Sequence, residues 1–243
     1  MNSFSRRSSD RVHSLPASGL RVDMSSAFPA AFALNIFSVL MMYGPFYLAN
    51  TGAMLFGKWI PDKLEFSSIT IDGGRNWKDG LRLFGDGKTW NGLLGGAFFS
   101  GLLTMLTHYL WSERLLPDAR PFVDPTALAG PDDWFWFGGE WGAAFAMGFT
   151  LGLACMIGDM TGSFIKRRRG LKREGDESSE APLLDTVPFA IAIFAAAFAL
   201  FDGQIIIHEQ LHEEIVALLI LTPVIHRLSN RLGYRLGLKS VPF

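Results

Sequence analysis

Cysteine is almost absent: Cys155 is the only one in 243 residues, which rules out an internal disulfide framework. A dominant charge is missing as well. With 22 Lys and Arg against 23 Asp and Glu, the net charge of −1 supplies no global field for nucleic acid or for acidic partners, and neither is expected. No internal repeat is visible. No small-residue cleavage site follows the first apolar run, which is also long for a signal peptide. The most informative scarcity is local, because long stretches hold almost no charged side chains. About 20 mostly apolar residues suffice to cross a bilayer as a helix. Five stretches qualify: 28–49, 92–111, 141–164, 186–207 and 213–228. The last is short and the fourth carries Asp202. The expected fold is an all-α integral membrane protein with about five transmembrane helices, set against a soluble helical protein with buried helices.

The charges that are present gather between these runs. Six Lys and Arg lie in 56–91, six in 165–185 and four at or beyond the end of the fifth run; four precede the first run, two lie in 112–140 and none in 203–213. By the positive-inside rule the amino terminus lies outside, while 56–91, 165–185 and the carboxyl terminus face the cytoplasm. Arg6, Arg7, Arg11 and Arg21 are discordant, and a natural start at Met24 would remove them. Residues 1–26 are polar and Ser-rich, and read as a disordered extension or a targeting segment. That leaves 27–243 as a single transmembrane domain. Segment 112–140 reads as an acidic, Pro-containing outer loop whose Trp134, Trp136 and Trp141 suit an interfacial aromatic belt.

Both basic inner segments carry chemistry. At the end of the third run, GDMTGSFIKRRRG places Asp159, Ser163, Lys166 and Arg167 on one helical face. Lys166 to Arg169 could simply snorkel to the headgroups. That leaves Asp159 unexplained, since a carboxylate two turns inside an apolar span is costly and marks a function or a buried partner. In the other segment, GDGKT (85–89) sets Lys88 and Thr89 after two glycines and before a helix start near Trp90. Glycines let backbone N–H groups approach an anion, and a helix start favours negative charge. The alternative is a flexible solvated linker. A Walker A loop is excluded, because Arg82 holds the first glycine position and no strand precedes it. Asp185, in APLLDTVPF, stands just before the fourth run on the same side. Two carboxylates among several cations suit a Mg²⁺-dependent phosphoryl or nucleotidyl transfer.

Two rivals come from other classes. HEQLH (208–212) matches the zinc-protease pattern, with His208 and His212 as ligands and Glu209 as base. It falls on the outer side, away from the other reactive groups, and its nearest third ligand, Asp202, precedes it. A non-catalytic protein holding anionic lipids on its basic inner loops would explain KRRR, but not Asp159 or the glycine-flanked Lys88.

The segments IDGGRNWKDGLRLFGDGKTWNGLLGG (71–96), GDMTGSFIKRR (158–168) and PLLD (182–185) resemble, in the same order, the signatures of the CDP-archaeol synthases. Asn50 in YLAN matches a further position, and the resemblance runs from about residue 28 to the carboxyl terminus. The related CDP-diacylglycerol synthases are similar in weaker form, through KTW-x-G and S-x-x-K-R. The resemblance implies five transmembrane helices, cytoplasmic catalytic loops and Mg²⁺ as cofactor, with a multi-pass protein of the cell membrane whose amino terminus is outside. It implies CMP transfer from CTP to 2,3-di-O-geranylgeranylglyceryl phosphate, giving CDP-archaeol and pyrophosphate. The partners are then CTP, a geranylgeranyl ether-lipid phosphate and the bilayer. Asp159 and Asp185 would hold the metal, Lys88, Lys166 and Arg167 would bind phosphates, and Thr89 and Ser163 would orient the substrates. Asn50, Asp72, Arg75, Asp79 and Asp86 join them as substrate-binding positions, the last four also reading as turn formers. Asn91, Thr186 and Pro188 depart from the pattern, where a charged residue, Gln and Asp are expected. Chain-length specificity, CTP against dCTP, one metal or two, and the oligomeric state, a homodimer among the options, stay open.

Overall fold

The computed structural model describes residues 24–115, 118–171, 182–201 and 212–235. These form α1 (Met24–Tyr47), α2 (Ala49–Met54), α3 (Ile60–Leu64), α4 (Trp90–Trp111), α5 (Glu140–Arg168), α6 (Pro182–Leu200) and α7 (His212–Arg235). A π-helical turn, Leu55–Trp59, joins α2 to α3. Pro29–Leu64 thereby becomes one long apolar unit and, with α4 to α7, makes five helices able to cross a membrane. Among the described residues only two isolated β-bridges occur, both in the segment before α4. The protein is an all-helical, multi-pass membrane protein, as the apolar runs led one to expect.

Helix α4 shows how such a bundle holds together. Leu94, Phe98, Leu102 and Leu106 recur every four residues on its exposed face. Gly96, Ser100, Thr104 and His108 occupy the buried one. Lipid tails are as apolar as leucine, so large side chains gain little by turning inward; small residues face in because they let backbones approach closely. A Cβ on Gly96 would stand 2.7 Å from the Ala49 carbonyl oxygen. Helix α5 uses this device on two faces: a Cβ on Gly152 would meet Ser100 of α4 at 2.5 Å, and one on Gly162 would meet the Leu184 carbonyl of α6 at 2.3 Å. Tyr43, Phe46, Met147, Leu151, Phe189 and Ile193 fill the core between α1, α5 and α6.

Several helix bounds differ from expectation. The first helical unit passes residue 49 and continues to Leu64, because Gly52 and Gly57 are packing surfaces, against Phe99 and Gly92, that let the helix run on. The inner segment therefore spans 65–89, shorter than the expected 56–91. Helix α6 starts at Pro182, a residue suited to a first helical position, which puts Asp185 inside its first turn. Helix α7 continues to Arg235. Residues 24–26 of the expected extension are helical. Residues 1–23, Asp202 and HEQLH up to Leu211 lie outside the described residues, and His212 opens α7.

The segment between α4 and α5 is more than a surface loop. Val123 and Phe135 are fully buried, and Trp134 Nε1 donates to the Leu200 carbonyl at 2.8 Å. His108 Nδ1 meets Asp124 Oδ2 at 2.8 Å, and Thr126 joins them. Trp134 and Trp141 are half exposed, whereas Trp136 packs against the core. This segment covers the end of the bundle where α4 and α6 finish and α5 and α7 begin. The opposite end carries residues 65–89, the last turn of α5 and the first turn of α6.

Candidate active site

Residues 69–90 fold into a small lobe closed by backbone hydrogen bonds. Ile71 N–H donates to the Lys88 carbonyl at 2.8 Å, Trp90 N–H to Ile69 at 2.9 Å, and Trp77 N–H to Leu81 at 2.7 Å. Its centre is Asp72, only 4% exposed. One carboxylate oxygen accepts from Gly74 N–H and Arg82 Nη2, at 3.0 and 2.8 Å. The other accepts from Phe84 N–H, Gly85 N–H and Arg82 Nε, at 3.2, 3.0 and 3.3 Å. The glycines of GDGKT are expected to present their amides to a phosphate; here the amides of Gly74, Phe84 and Gly85 enclose the lobe's own carboxylate. Gly85 is needed for this, because its φ of +94° suits a residue without a Cβ.

Burial pushes the Asp72 carboxyl up, but Arg82 and the three N–H groups outweigh it and hold it well below the usual carboxylate range. A group with a depressed folded-state pKa lends stability above its unfolded value, and that stability fades as pH falls below about 4. Amide exchange over 72–86, corrected for intrinsic rate, is therefore expected to rise on acidification below that point. Asp72→Asn should be loosened already at neutral pH and show a shallower acid response. Identical pH profiles for the two proteins would refute the role of this carboxylate.

The base of the lobe meets α5. Lys88 Nζ donates to Asp159 Oδ2 across 71 positions of sequence. Two turns further along α5, Lys166 Nζ donates to Asp185 Oδ1 in the first turn of α6. The second pair is the more enclosed, with both side chains 10% exposed. Ser163, itself buried, lies between the two pairs on the same face. One turn before Asp159, Cys155 Sγ lies 3.7 Å from Asn50 Nδ2, so the long first helix joins the same stripe. Arg167 Nη1 donates to the Leu171 carbonyl at 3.1 Å, while its buried Nε has no partner and its guanidinium lies over Gly85.

The remaining expected residues are placed differently. Thr89 Oγ1 accepts from Gly92 N–H at 3.1 Å and caps α4, and the residue is largely buried. Asp79 pairs with Arg168, and Asp86 with Arg82, within or against the lobe. Arg75 is exposed. The reading of the sequence missed Arg82 and Arg168 as structural cations. Arg82 and Asp86 stand four residues apart, but outside a helix that spacing does not predict a pair, and Asp72 and Asp79 meet their arginines only once the segment has folded.

Among the described residues no three His, Cys, Asp or Glu side chains gather closely enough to hold a metal unaided. The donor set still suits a hard cation, which needs only one or two carboxylates when phosphate oxygens and water complete its shell. Asp159 and Asp185 each already hold a cationic group, a lysine ammonium.

A groove of about 510 Å³ opens between α5 and α6, lined by Ile157, Thr161, Ile165, Leu184, Val187 and Ile191.

Comparison with known proteins agrees with this picture. The CDP-archaeol synthase family matches residues 32–122 and 134–243, and the broader cytidylyltransferase family matches 86–177, which spans both Lys88 and the Asp159–Arg167 face. The CDP-archaeol synthase of Thermococcus onnurineus is 35% identical over 202 residues, 82% of this chain and 92% of its own length. That of Methanospirillum hungatei is 33% identical over 199 residues, 82% and 99% of the two lengths. A solved structure, described as an intramembrane enzyme for archaeal membrane lipids biosynthesis, has a TM-score of 0.53 at 24% identity, covering 79% of this chain and 92% of that one, and so shows a common fold. The helices, the polar end and these matches define a membrane-embedded, CTP-dependent nucleotidyltransferase acting on a lipid phosphate. The chain belongs to the CDP-archaeol synthase family.

Proposed function

We propose that the protein transfers CMP from CTP to 2,3-di-O-geranylgeranylglyceryl phosphate, with Mg²⁺, at the end of the bundle that carries the lobe, and that this end faces the cytoplasm. The observation that supports it most is the pairing of Lys88 with Asp159 and of Lys166 with Asp185, which draws three distant segments onto one helix face. The positive-inside distribution supports the orientation, with the amino terminus outside.

A phosphate-monoester oxygen of the lipid forms a bond to the α-phosphorus of CTP as the bond to the β-phosphate bridging oxygen breaks, and pyrophosphate leaves. The nucleophile is already an anion, so no strong base is required, and repulsion between anions is the main barrier. Mg²⁺, when bound, neutralises charge on the phosphate oxygens. Lys88 and Lys166 turn from their carboxylates to phosphate oxygens as the triphosphate enters, which frees oxygens of Asp159 and Asp185 for the cation. Arg167 supplies further N–H donors, Ser163 a hydroxyl between the two pairs, and Asn50 an amide on the membrane side. Thr89 contributes through the cap that fixes the start of α4. The α5–α6 groove suits an isoprenoid chain, because it is apolar and lies between the two helices that carry Asp159 and Asp185.

Purified protein in detergent, given CTP labelled at the α-phosphate, Mg²⁺ and the ether-lipid phosphate, is expected to yield a lipid-extractable cytidine product. Pyrophosphate released without labelled lipid would contradict this reading, and so would product formation that survives removal of all divalent cations.

A further inference from the structure

In the sequence Arg168 is one member of a basic run. In the structure it does not reach out to headgroups. Its side chain is 18% exposed, Nη1 donates to Asp79 Oδ1 at 2.9 Å, and Nη2 donates to the Arg82 carbonyl at 2.5 Å. The guanidinium carbon lies 4.9 Å above the Phe164 ring. Phe164 in turn meets Trp77 edge-on at 5.6 Å and Phe84 at 6.4 Å. A single guanidinium at the end of α5 therefore holds the turn of the 77–82 hairpin, through Asp79, and its second arm, through the Arg82 carbonyl, with an aromatic contact beneath.

These contacts lead to Lys88 through bonds already described. Arg82, held at its carbonyl, binds Asp72 with its side chain; Asp72 accepts from Gly85 N–H; and the Gly85 carbonyl accepts from Lys88 N–H at 3.1 Å. The lobe is cross-linked throughout, so docking its tip on α5 fixes the position of its base. A planar fork with several donors can hold a carboxylate and a carbonyl at once, which a lysine ammonium on a flexible stem does less well. We propose that Arg168 is a positioning residue: it docks the 69–90 lobe onto α5 and thereby sets Lys88 against Asp159. For its effect on catalysis this rests on the cytidylyltransferase reading above; for the docking itself it does not.

The test uses the full chain in detergent without nucleotide. Lys88 modification by an amine-acylating reagent is followed by mass spectrometry, alongside amide exchange over 72–86. Arg168→Gln is expected to raise Lys88 labelling about tenfold, the scale of one lost charge-assisted hydrogen bond. Arg168→Lys should restore little of the protection. Asp79→Asn should raise labelling to a lesser degree, and adding it to Arg168→Gln should change nothing further, because both remove the same dock. In the assay with CTP, Arg168→Gln should raise the KM for CTP with a smaller change in kcat. If Arg168 were instead a direct phosphate ligand, Asp79→Asn would leave Lys88 protected and Arg168→Lys would keep most of the CTP affinity; either result overturns the proposal. Unchanged labelling and exchange in Arg168→Gln overturn it as well. If the labelling results hold while the wild type makes no lipid-linked cytidine, the docking stands and the cytidylyltransferase reading falls.

Discussion

Asp159→Asn is expected to lower kcat for lipid-linked cytidine formation by about 10²–10³-fold, the scale seen when one preorganised electrostatic contact to a transition state is removed. Asparagine keeps the size of the side chain and one oxygen, so the helix face stays filled. What changes is charge: Lys88 loses the anion that holds it, and in the proposed reaction a divalent cation would lose a hard anionic oxygen. The Lys88–Asp159 pair is about a quarter open to solvent, with side-chain exposures of 22% and 26%. Its loss should therefore disturb folding less than the loss of an enclosed pair. The informative result is a protein with a nearly unchanged thermal midpoint and almost no product. A variant that keeps a tenth or more of wild-type kcat would exclude Asp159 from the chemistry.

Lys166→Met is expected to damage both stability and activity, because its pair with Asp185 is the enclosed one. Removing one partner of a buried ion pair leaves an uncompensated charge and costs on the order of 3 kcal/mol. Replacing both partners by neutral groups of similar volume is far less costly. The double variant Lys166→Met/Asp185→Asn should therefore regain most of the thermal stability lost by Lys166→Met while remaining inactive. That divergence separates the structural part of the pair from its catalytic part. Lys166→Met alone should also bind Mn²⁺ without CTP more tightly than the wild type, since the ammonium no longer competes for the Asp185 oxygens. Recovery of activity together with stability in the double variant would show that the pair only holds α5 to α6.

Much of the architecture was legible because it rests on single-residue chemistry. Runs of bilayer length with at most one charged residue mark α1 and α4 to α6 directly, and Thr89 before Trp90 is a recognisable helix start. Asp159 announced itself by being a carboxylate in an apolar helix, and its partner proved to be Lys88, from the segment read beside it. Other features depend on what lies across a helix interface. Gly52 and Gly57 permit the first helix to run on to Leu64 only because Phe99 and Gly92 approach them. The burial of Val123 and Phe135 depends on the ends of α4, α5 and α6 lying side by side. The glycines of the lobe suggest amides turned toward a phosphate. That Asp72 would fill the nest could not be seen, since Gly74, Phe84 and Gly85 converge only after the hairpin closes. Arg168 was hidden in the same way, within a run of four basic residues whose side chains have different destinations.

In the proposed reaction Lys88 and Lys166 exchange carboxylate partners for phosphate when a metal–nucleotide complex enters between the lobe and α5. This exchange is tested most directly by a structure of the protein with CTP and Mn²⁺ in the absence of lipid phosphate. The expected result is anomalous Mn²⁺ density at an oxygen of Asp159 or Asp185, with both lysine Nζ atoms on phosphate oxygens. A triphosphate bound elsewhere, or bound here with both lysines still on their carboxylates, would contradict the claim.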